Sequence, residues 1–215
     1  MKYMRLIAMM CILVALTVLT GCRASWIVDF TQAEDSDMVD WGGYTSWTLN
    51  DPDGSGLIVR GDYVMTPIGF PSDFALTIWM RMEISELESA DFRIWIAGDE
   101  SETPEHYIEC VFTEAGDEGN EELLIHEDGV GLDYRDVDTR KPIPGLKSGD
   151  NVFKLTRNGD RIRITLNGAS LANFDALYFD PAACYVAFVT PYTSDIDVYY
   201  KKIKVDYEGD AVPLP

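Results

Sequence analysis

Four residues carry the best candidate chemistry of this chain. Trp79 and Arg81 fall on one parity of the run 74–82, and Arg93 and Trp95 on one parity of the run 92–97. If the two runs pair as strands, two indoles and two guanidinium groups gather on one face. Flat aromatic rings suit the faces of sugars, and arginines suit carboxylates or hydroxyls. The other reading is that Trp79 and Trp95 pack beneath a covering loop, since tryptophan is usually well buried.

Other chemistry-bearing residues point less clearly. Retaining glycoside hydrolysis needs two carboxylates at a fixed separation on one face. Glu83, Glu86 and Glu88 come closest, but their segment reads as a loop, and Glu100, Glu102 and Glu105 share a Pro-containing loop that reads as a solvated face. The two histidines, His106 and His126, stand by no Gly-x-Ser-x-Gly elbow and are a poor start for a zinc site. Both read as surface or edge residues. Oxygen ligands are abundant in the Asp-x-Asp pairs Asp35/Asp37, Asp51/Asp53, Asp136/Asp138 and Asp195/Asp197, which leaves Ca²⁺ open as a cofactor, although no pair has a full EF-hand loop. No catalytic residue emerges.

Cys110 and Cys184 allow two readings. A disulfide between them closes a loop of about 75 residues, for which the chain-entropy model gives roughly 4 kcal/mol. Alternatively they are buried free thiols, since each sits in an apolar, strand-like stretch.

The elements that must position these residues are strands. Phe74, Leu76, Ile78, Met80 and Met82 alternate with Ala75, Thr77, Trp79 and Arg81. Phe92, Ile94 and Ile96 alternate with Arg93, Trp95 and Ala97. Such period-two patterns place a core on one side of a strand and solvent or ligand on the other. Tyr107–Phe112 and Leu123–His126 are further strands. Residues 151–174 predict a three-stranded meander, with turns at Asn158-Gly159 and Asn167-Gly168. Tyr185–Thr190 and Ile196–Tyr207 follow, and a change of apolar parity near Tyr199–Val205 predicts a bulge. The loops are acidic and rich in Gly and Pro, and the mature region shows no convincing helix.

The amino terminus locates the protein. Lys2 and Arg5 precede an apolar run over Ile7–Leu19, which suits a signal-peptide core and is short for a membrane span of roughly 20 apolar residues; an ordinary secretory signal and a retained anchor helix are the alternatives. Leu19-Thr20-Gly21-Cys22 resembles a bacterial lipoprotein lipobox. The resemblance implies cleavage before Cys22 and acylation of that cysteine, with a diacylglycerol and often a third chain such as palmitate. One chain holds a protein weakly on a bilayer, and two or more hold it firmly. Arg23, rather than Asp, follows the cysteine, as in lipoproteins sent to the outer membrane of Gram-negative hosts. The expected organisation is a signal peptide over 1–21, a lipidated tether over 22–25, one domain over 26–208 and a loose tail over 209–215.

Composition bounds the partners. The chain has 17 basic and 37 acidic residues, a formal charge of −20, and loss of Lys2 and Arg5 with the signal makes the mature protein more acidic still. Such a charge opposes nucleic acid and anionic lipid. Apolar residues at 47% suffice for a real core.

Many short strands, meander connections and one domain predict an all-β fold of two packed antiparallel sheets. Trp26-Ile27-Val28-Asp29-Phe30, then Trp41, Trp47, Gly56-Leu57-Ile58-Val59 and Asp73-Phe74-Ala75-Leu76, resemble the start of concanavalin A-like jelly-roll domains. Asn151–Phe174 resembles their later meander, and Ile196–Val205 their last strand, which pairs near the first. Laminin G-like domains, legume-type lectins, family-16 glucanases and 3-keto-disaccharide hydrolase-like domains share this architecture. The Glu-x-Asp-x-(x)-Glu strand of the glucanases has no match here. Ser89-Ala90-Asp91-Phe92-Arg93 stands where the 3-keto-disaccharide group has Asn-Ser-Gly and a following Arg, and lacks the glycine. The expected function is therefore a lipid-tethered envelope protein that binds a glycan or another envelope component without cleaving it. A glycan-cleaving hydrolase and a structural or protein-interaction module are the alternatives.

Overall fold

A computed structural model of the chain describes residues 23–43, 46–49, 55–71, 73–83, 91–98, 106–114, 121–129, 134–191 and 197–213. Cys22 and the lipid-attachment segment lie outside them, as do Asp51, Asp53, Asp195, Glu86, Glu88, Glu100, Glu102 and Glu105.

The described strands are, in chain order, β1 (Arg23–Asp29), β2 (Ser46–Leu49), β3 (Leu57–Arg60), β4 (Asp62–Met65), β5 (Ile68–Pro71), β6 (Phe74–Met82), β7 (Asp91–Ala97) and β8 (Tyr107–Glu114). They continue as β9 (Glu121–Asp128), β10 (Tyr134–Arg140), β11 (Gly149–Asn158), β12 (Arg161–Leu166), β13 (Ala169–Asp175), β14 (Ala183–Thr190), β15 (Tyr199–Glu208) and β16 (Val212–Pro213). A 3₁₀ turn, Asp35–Met38, seats buried Met38.

Two antiparallel sheets result. The first runs β13-β12-β11-β6-β15-β3-β2, with β1 also on β15. The second runs β10-β9-β8-β7-β14-β5-β16, with β4 also on β14. The two-sheet antiparallel sandwich expected from alternation is the observed architecture.

The alternating residues explain how the sheets meet. The apolar parity of β6 is buried throughout and its other parity is not. Aromatic rings then bridge the layers. Phe112 of the second sheet lies edge-on to Phe153 of the first, with centroids 6.2 Å apart. Phe188 stacks on Tyr200 at 4.0 Å, and Trp26 packs on Phe70 at 5.5 Å. Ring pairs of this kind add about 0.5–1.5 kcal/mol beyond the area they bury.

The meander over β11, β12 and β13 forms as predicted. Asn167 and Gly168 both have positive φ, 50° and 85°, as a two-residue I′ turn requires. The preceding turn is shifted by one residue. Asn158 pairs with Arg161, so Gly159 and Asp160 form the turn and only the glycine has positive φ. The predicted bulge in β15 lies between Tyr200 and Lys202, and β15 pairs with β1 along Arg23–Asp29.

Two boundaries differ from expectation. Arg23, Ala24 and Ser25, expected in a tether, pair with Glu208, Tyr207 and Asp206. Val212 and Pro213, expected in a loose tail, pair with Gly69 and Ile68 of β5. In both places a neighbouring strand offers backbone partners to a stretch of two or three residues, too short to declare a strand period by itself.

Two buried ionic groups tie the loop after β13 to the sandwich. The Glu127 side chain is 0% exposed. Its Oε1 accepts the amides of Leu177, Tyr178 and Phe179 at 2.7, 2.8 and 2.9 Å, and its Oε2 accepts Nε of Arg135 at 2.6 Å. Burial works against its charge, but the Phe179 and Tyr178 amides, Arg135 and the Leu177 amide outweigh it, and its pKa falls below the usual carboxylate range. Arg157, 3% exposed, donates to the carbonyls of Gly159 and Pro181 and lies over the Phe179 ring.

Candidate functional site

The four candidate binding residues do not form one cluster. β6 is flanked by β11 and β15 in the first sheet, and β7 by β8 and β14 in the second. Trp79 and Arg81 therefore stand on the outer face of one sheet, and Arg93 and Trp95 on the outer face of the other. The chain changes sheets between residues 83 and 91.

Arg93 and Trp95 nevertheless belong to an organised face. Met65, Ala187, Trp95, Glu109, His126 and Asp136 stand opposite one another in succession across the second sheet. A neighbouring row runs through Tyr185, Ala97, Tyr107, Asp128 and Tyr134. Sheet alternation sets both rows, because side chains directly opposite share a face.

The apolar end of this face is a second, smaller cluster. Tyr63, Met65, Ala97, Tyr185, Ala187 and Val189 are buried there, with Trp95 and Tyr107 packed against them. The Trp95 ring lies 5.9 Å from Tyr63 and 5.9 Å from Tyr107. Its Nε1 donates to Glu109 Oε1 at 2.7 Å, and Arg93 donates to the same oxygen at 2.9 Å and to Asp91 at 3.0 Å. Burial opposes the charge of Arg93, but Glu109 and Asp91 outweigh it and raise its pKa.

The polar end is open. Tyr134 is 51% exposed and stacks on the His126 ring, with centroids 5.4 Å apart. Its hydroxyl lies 2.5 Å from His126 Nδ1 and donates to Asp136 Oδ1 at 2.8 Å, while His126 Nδ1 is also 2.8 Å from Asp136 Oδ1. These contacts hold the Asp136 carboxyl below its ordinary pKa, Tyr134 contributing more than His126. Burial, then the hydrogen bond to Asp136 and the charges of Asp136, Glu109 and Asp128, pushes the Tyr134 phenol up to about 12. Burial, then Asp128 and Glu109, does the same for Tyr107, also to about 12. The face is thus aromatic and electronegative. It offers rings for stacking and carboxylates that accept hydroxyl protons.

The remaining expectations divide. Cys110 and Cys184 are free and buried, which excludes the disulfide reading. They lie on β8 and β14, with β7 between them, so their Cα atoms are at least about 9.6 Å apart, beyond the reach of a bridge. Glu83 lies 3.8 Å from Arg81. His106 Nδ1 meets the Tyr178 carbonyl at 3.1 Å. His126 stands on the outer face of the second sheet, on the interior strand β9 and in the middle of the electronegative face. No group of three or more His, Cys, Asp or Glu residues fit to hold a metal occurs among the described residues. Asp136 is engaged by Tyr134 and His126, Asp138 by Arg140 and Asp197 by Arg60, so these members of the Asp-x-Asp pairs do not converge on a calcium site. Sequence reading missed Glu109, Tyr107, Asp128 and Tyr134. The strand alternation of 107–112 carried the first two, but no motif marks them.

No family model and no curated protein matches the chain. Solved structures do. A glycoside hydrolase family 16 endo-glucanase from Bacteroides ovatus superposes with a TM-score of 0.59 at 13% identity, over 84% of this chain and 99% of its own. The exoplasmic/lumenal domain of VIP36, in its Ca²⁺/Man3GlcNAc-bound form, gives 0.61 at 8%, over 88% and 93%. The carbohydrate-binding module CBM66 from Bacillus subtilis gives 0.53 at 13%, over 80% and 98%. At these identities the likeness is one of fold, and the fold of this chain is the concanavalin A-like jelly roll.

Proposed function

We propose that the protein is a lipid-anchored envelope protein whose second sheet binds a glycan on its outer face without cleaving it. One observation carries the reading: Trp95, Tyr107 and Tyr134 are set among Glu109, Asp128 and Asp136 on a single sheet face. Aromatic rings take the apolar faces of a pyranose, and carboxylates accept its hydroxyl protons. The negative field favours a neutral or cationic sugar over an acidic one. Solved relatives by fold include a carbohydrate-binding module and a Man3GlcNAc-bound domain, which agrees with this choice. Binding is favoured over hydrolysis because Oε1 of Glu109, the most buried carboxylate of the face, is already taken by Arg93 and Trp95.

Anchoring rests on Leu19-Thr20-Gly21-Cys22. The acylated cysteine would hold the domain on the bilayer, on the outer membrane if the host is Gram-negative, facing periplasm or exterior. Because β1 begins at Arg23, no spacer would separate the lipid from the sandwich.

The test is a glycan array combined with reducing-sugar release, using full-length protein in detergent. Wild type is expected to bind at least one neutral glycan and release nothing, and Trp95→Ala to abolish binding while Trp79→Ala retains it. Sugar release by wild type would favour the hydrolase, with the Glu109–His126–Asp136 row as its candidate centre. Silence on the array would favour a protein-interaction module.

A further inference from the structure

The outer face of the first sheet has the opposite character. Most described cations of this acidic chain sit on a carboxylate, as in Arg23–Glu208, Arg60–Asp197, Arg140–Asp138, Arg161–Asp175, Lys201–Asp150 and Lys204–Asp206. Among the described residues, Lys141, Lys147, Lys154, Arg163 and Lys202 have no carboxylate in ion-pair reach, and all of these except Lys141, which follows β10, adjoin this one face. Excess acid elsewhere makes that segregation informative, since 37 carboxylate side chains were available to neutralise them.

The register shows how they are arranged. Asp29, Lys202, Trp79 and Val152 stand in one row, the Asp29 carboxylate being taken by the Thr31 hydroxyl, and Lys204, Thr77, Lys154 and Thr165 stand in the next. Thr156 and Arg163 face each other in a third. Lys202 Nζ lies over the Trp79 ring at 5.7 Å. Strand spacing puts Lys204 and Lys154 about 9.6 Å apart, two strands on. Beside them is a shallow open groove of about 700 Å³, lined by Lys147, Val152, Lys154, Arg163, Thr165 and Asn167.

We propose that this face is a second binding site, for a linear anionic glycan bearing carboxylates or sulfates. The cations alternate with threonine hydroxyls and an indole along a groove, which suits a chain carrying both charges and hydroxyls. The protein's overall negative charge does not forbid it. At 0.1 M salt charges beyond about 10 Å are largely screened, so a single chain lying in the groove senses mainly the local cations. A bilayer would face a far wider, acidic surface. Ile27 is also the only exposed large hydrophobic residue of this face among the described residues, which is too little apolar surface for insertion.

The experiment uses full-length protein in detergent with heparin, polygalacturonate and neutral mannan as probes. Vesicles of phosphatidylcholine alone, and of equal parts phosphatidylcholine and phosphatidylglycerol, complete the set. At least one of the two polyanions is expected to bind, more weakly as salt rises. Lys154→Gln with Arg163→Gln should weaken that binding about tenfold, two exposed charge contacts within the upper half of their usual strength. The double variant should keep its melting temperature and its binding to any neutral array glycan, which is assigned to the other face. Three results would overturn the proposal: no retention of either polyanion, retention insensitive to the double substitution, or preference for phosphatidylglycerol vesicles with neither polyanion bound.

Discussion

Replacing Glu127 by Gln tests whether a buried carboxylate holds the loop after β13 in place. The side chain is fully buried and accepts four hydrogen bonds, three from the amides of 177–179 and one from Arg135. Glutamine keeps an acceptor for the three amides. It places an NH₂ donor against Arg135 Nε, so one charge-assisted bond is lost and two donors face each other. The expected loss is about 1.5–3 kcal/mol. Glu127→Ala leaves the amides and the guanidinium without their acceptor, and should cost about 3–5 kcal/mol. Urea unfolding at neutral pH measures both. Acid titration supplies a second readout. The folded pKa of Glu127 is depressed, so its contribution is fully present above the unfolded carboxylate value of about 4.3 and fades as pH falls through the lower folded value. The stability gap between wild type and Glu127→Gln should therefore narrow below about pH 4. A gap under about 0.5 kcal/mol at neutral pH, the scale of an ordinary surface substitution, would refute the reasoning. So would a gap that does not narrow on acidification.

Further outcomes follow from the same geometry. Phe112→Ala removes the ring that stacks on Phe92 at 4.5 Å and meets Phe153 across the sheets, and should cost about 3–5 kcal/mol by chemical denaturation. Cys110 and Cys184 should resist a thiol reagent in the folded protein and react fully in denaturant. Burial pushes both thiols up, Cys184 to about 11 with Arg157 offsetting part of the rise; an intact mass showing a disulfide would contradict this. Gly56→Ala puts a Cβ 2.4 Å from the Tyr200 carbonyl oxygen at a φ of +119°, whereas Gly168→Ala meets nothing within 4 Å and bears only its φ of +85°. The first should therefore lower the melting temperature more than the second. Mass spectrometry of protein from its native host should show an acylated Cys22 at the amino terminus, and an intact Met1 would contradict the anchor.

The sequence made the sandwich legible because alternation reports directly on which side of a strand meets the core. The parity of Phe74–Met82 and of Phe92–Ile96 is the observed burial pattern, and Ala97, on the outer parity, is buried under the second aromatic cluster. Asn167-Gly168 declared its turn through the positive φ that both residues tolerate. Sheet membership was not legible. Nothing in 74–97 says that the chain crosses from one sheet to the other between Met82 and Asp91, so alternation alone groups Trp79 with Trp95 although they lie on opposite outer faces. Edge strands were missed for a related reason. Arg23–Ser25 and Val212–Pro213 are held by backbone bonds to neighbours, and each is too short to declare a period by itself. The glycan-binding candidates beyond Trp95 are assembled by register across β7, β8, β9 and β10, a long-range property of pairing. The same register separates the two outer faces by charge, an arrangement that composition averages away.

Hydroxyl-radical footprinting with the neutral glycan that the array identifies addresses the binding face most directly. Tyr107, Tyr134 and Trp95 should be protected on saturation, with Trp79 unchanged. Protection of Trp79 while those three remain as reactive as in the free protein would place the ligand on the other sheet and contradict the account.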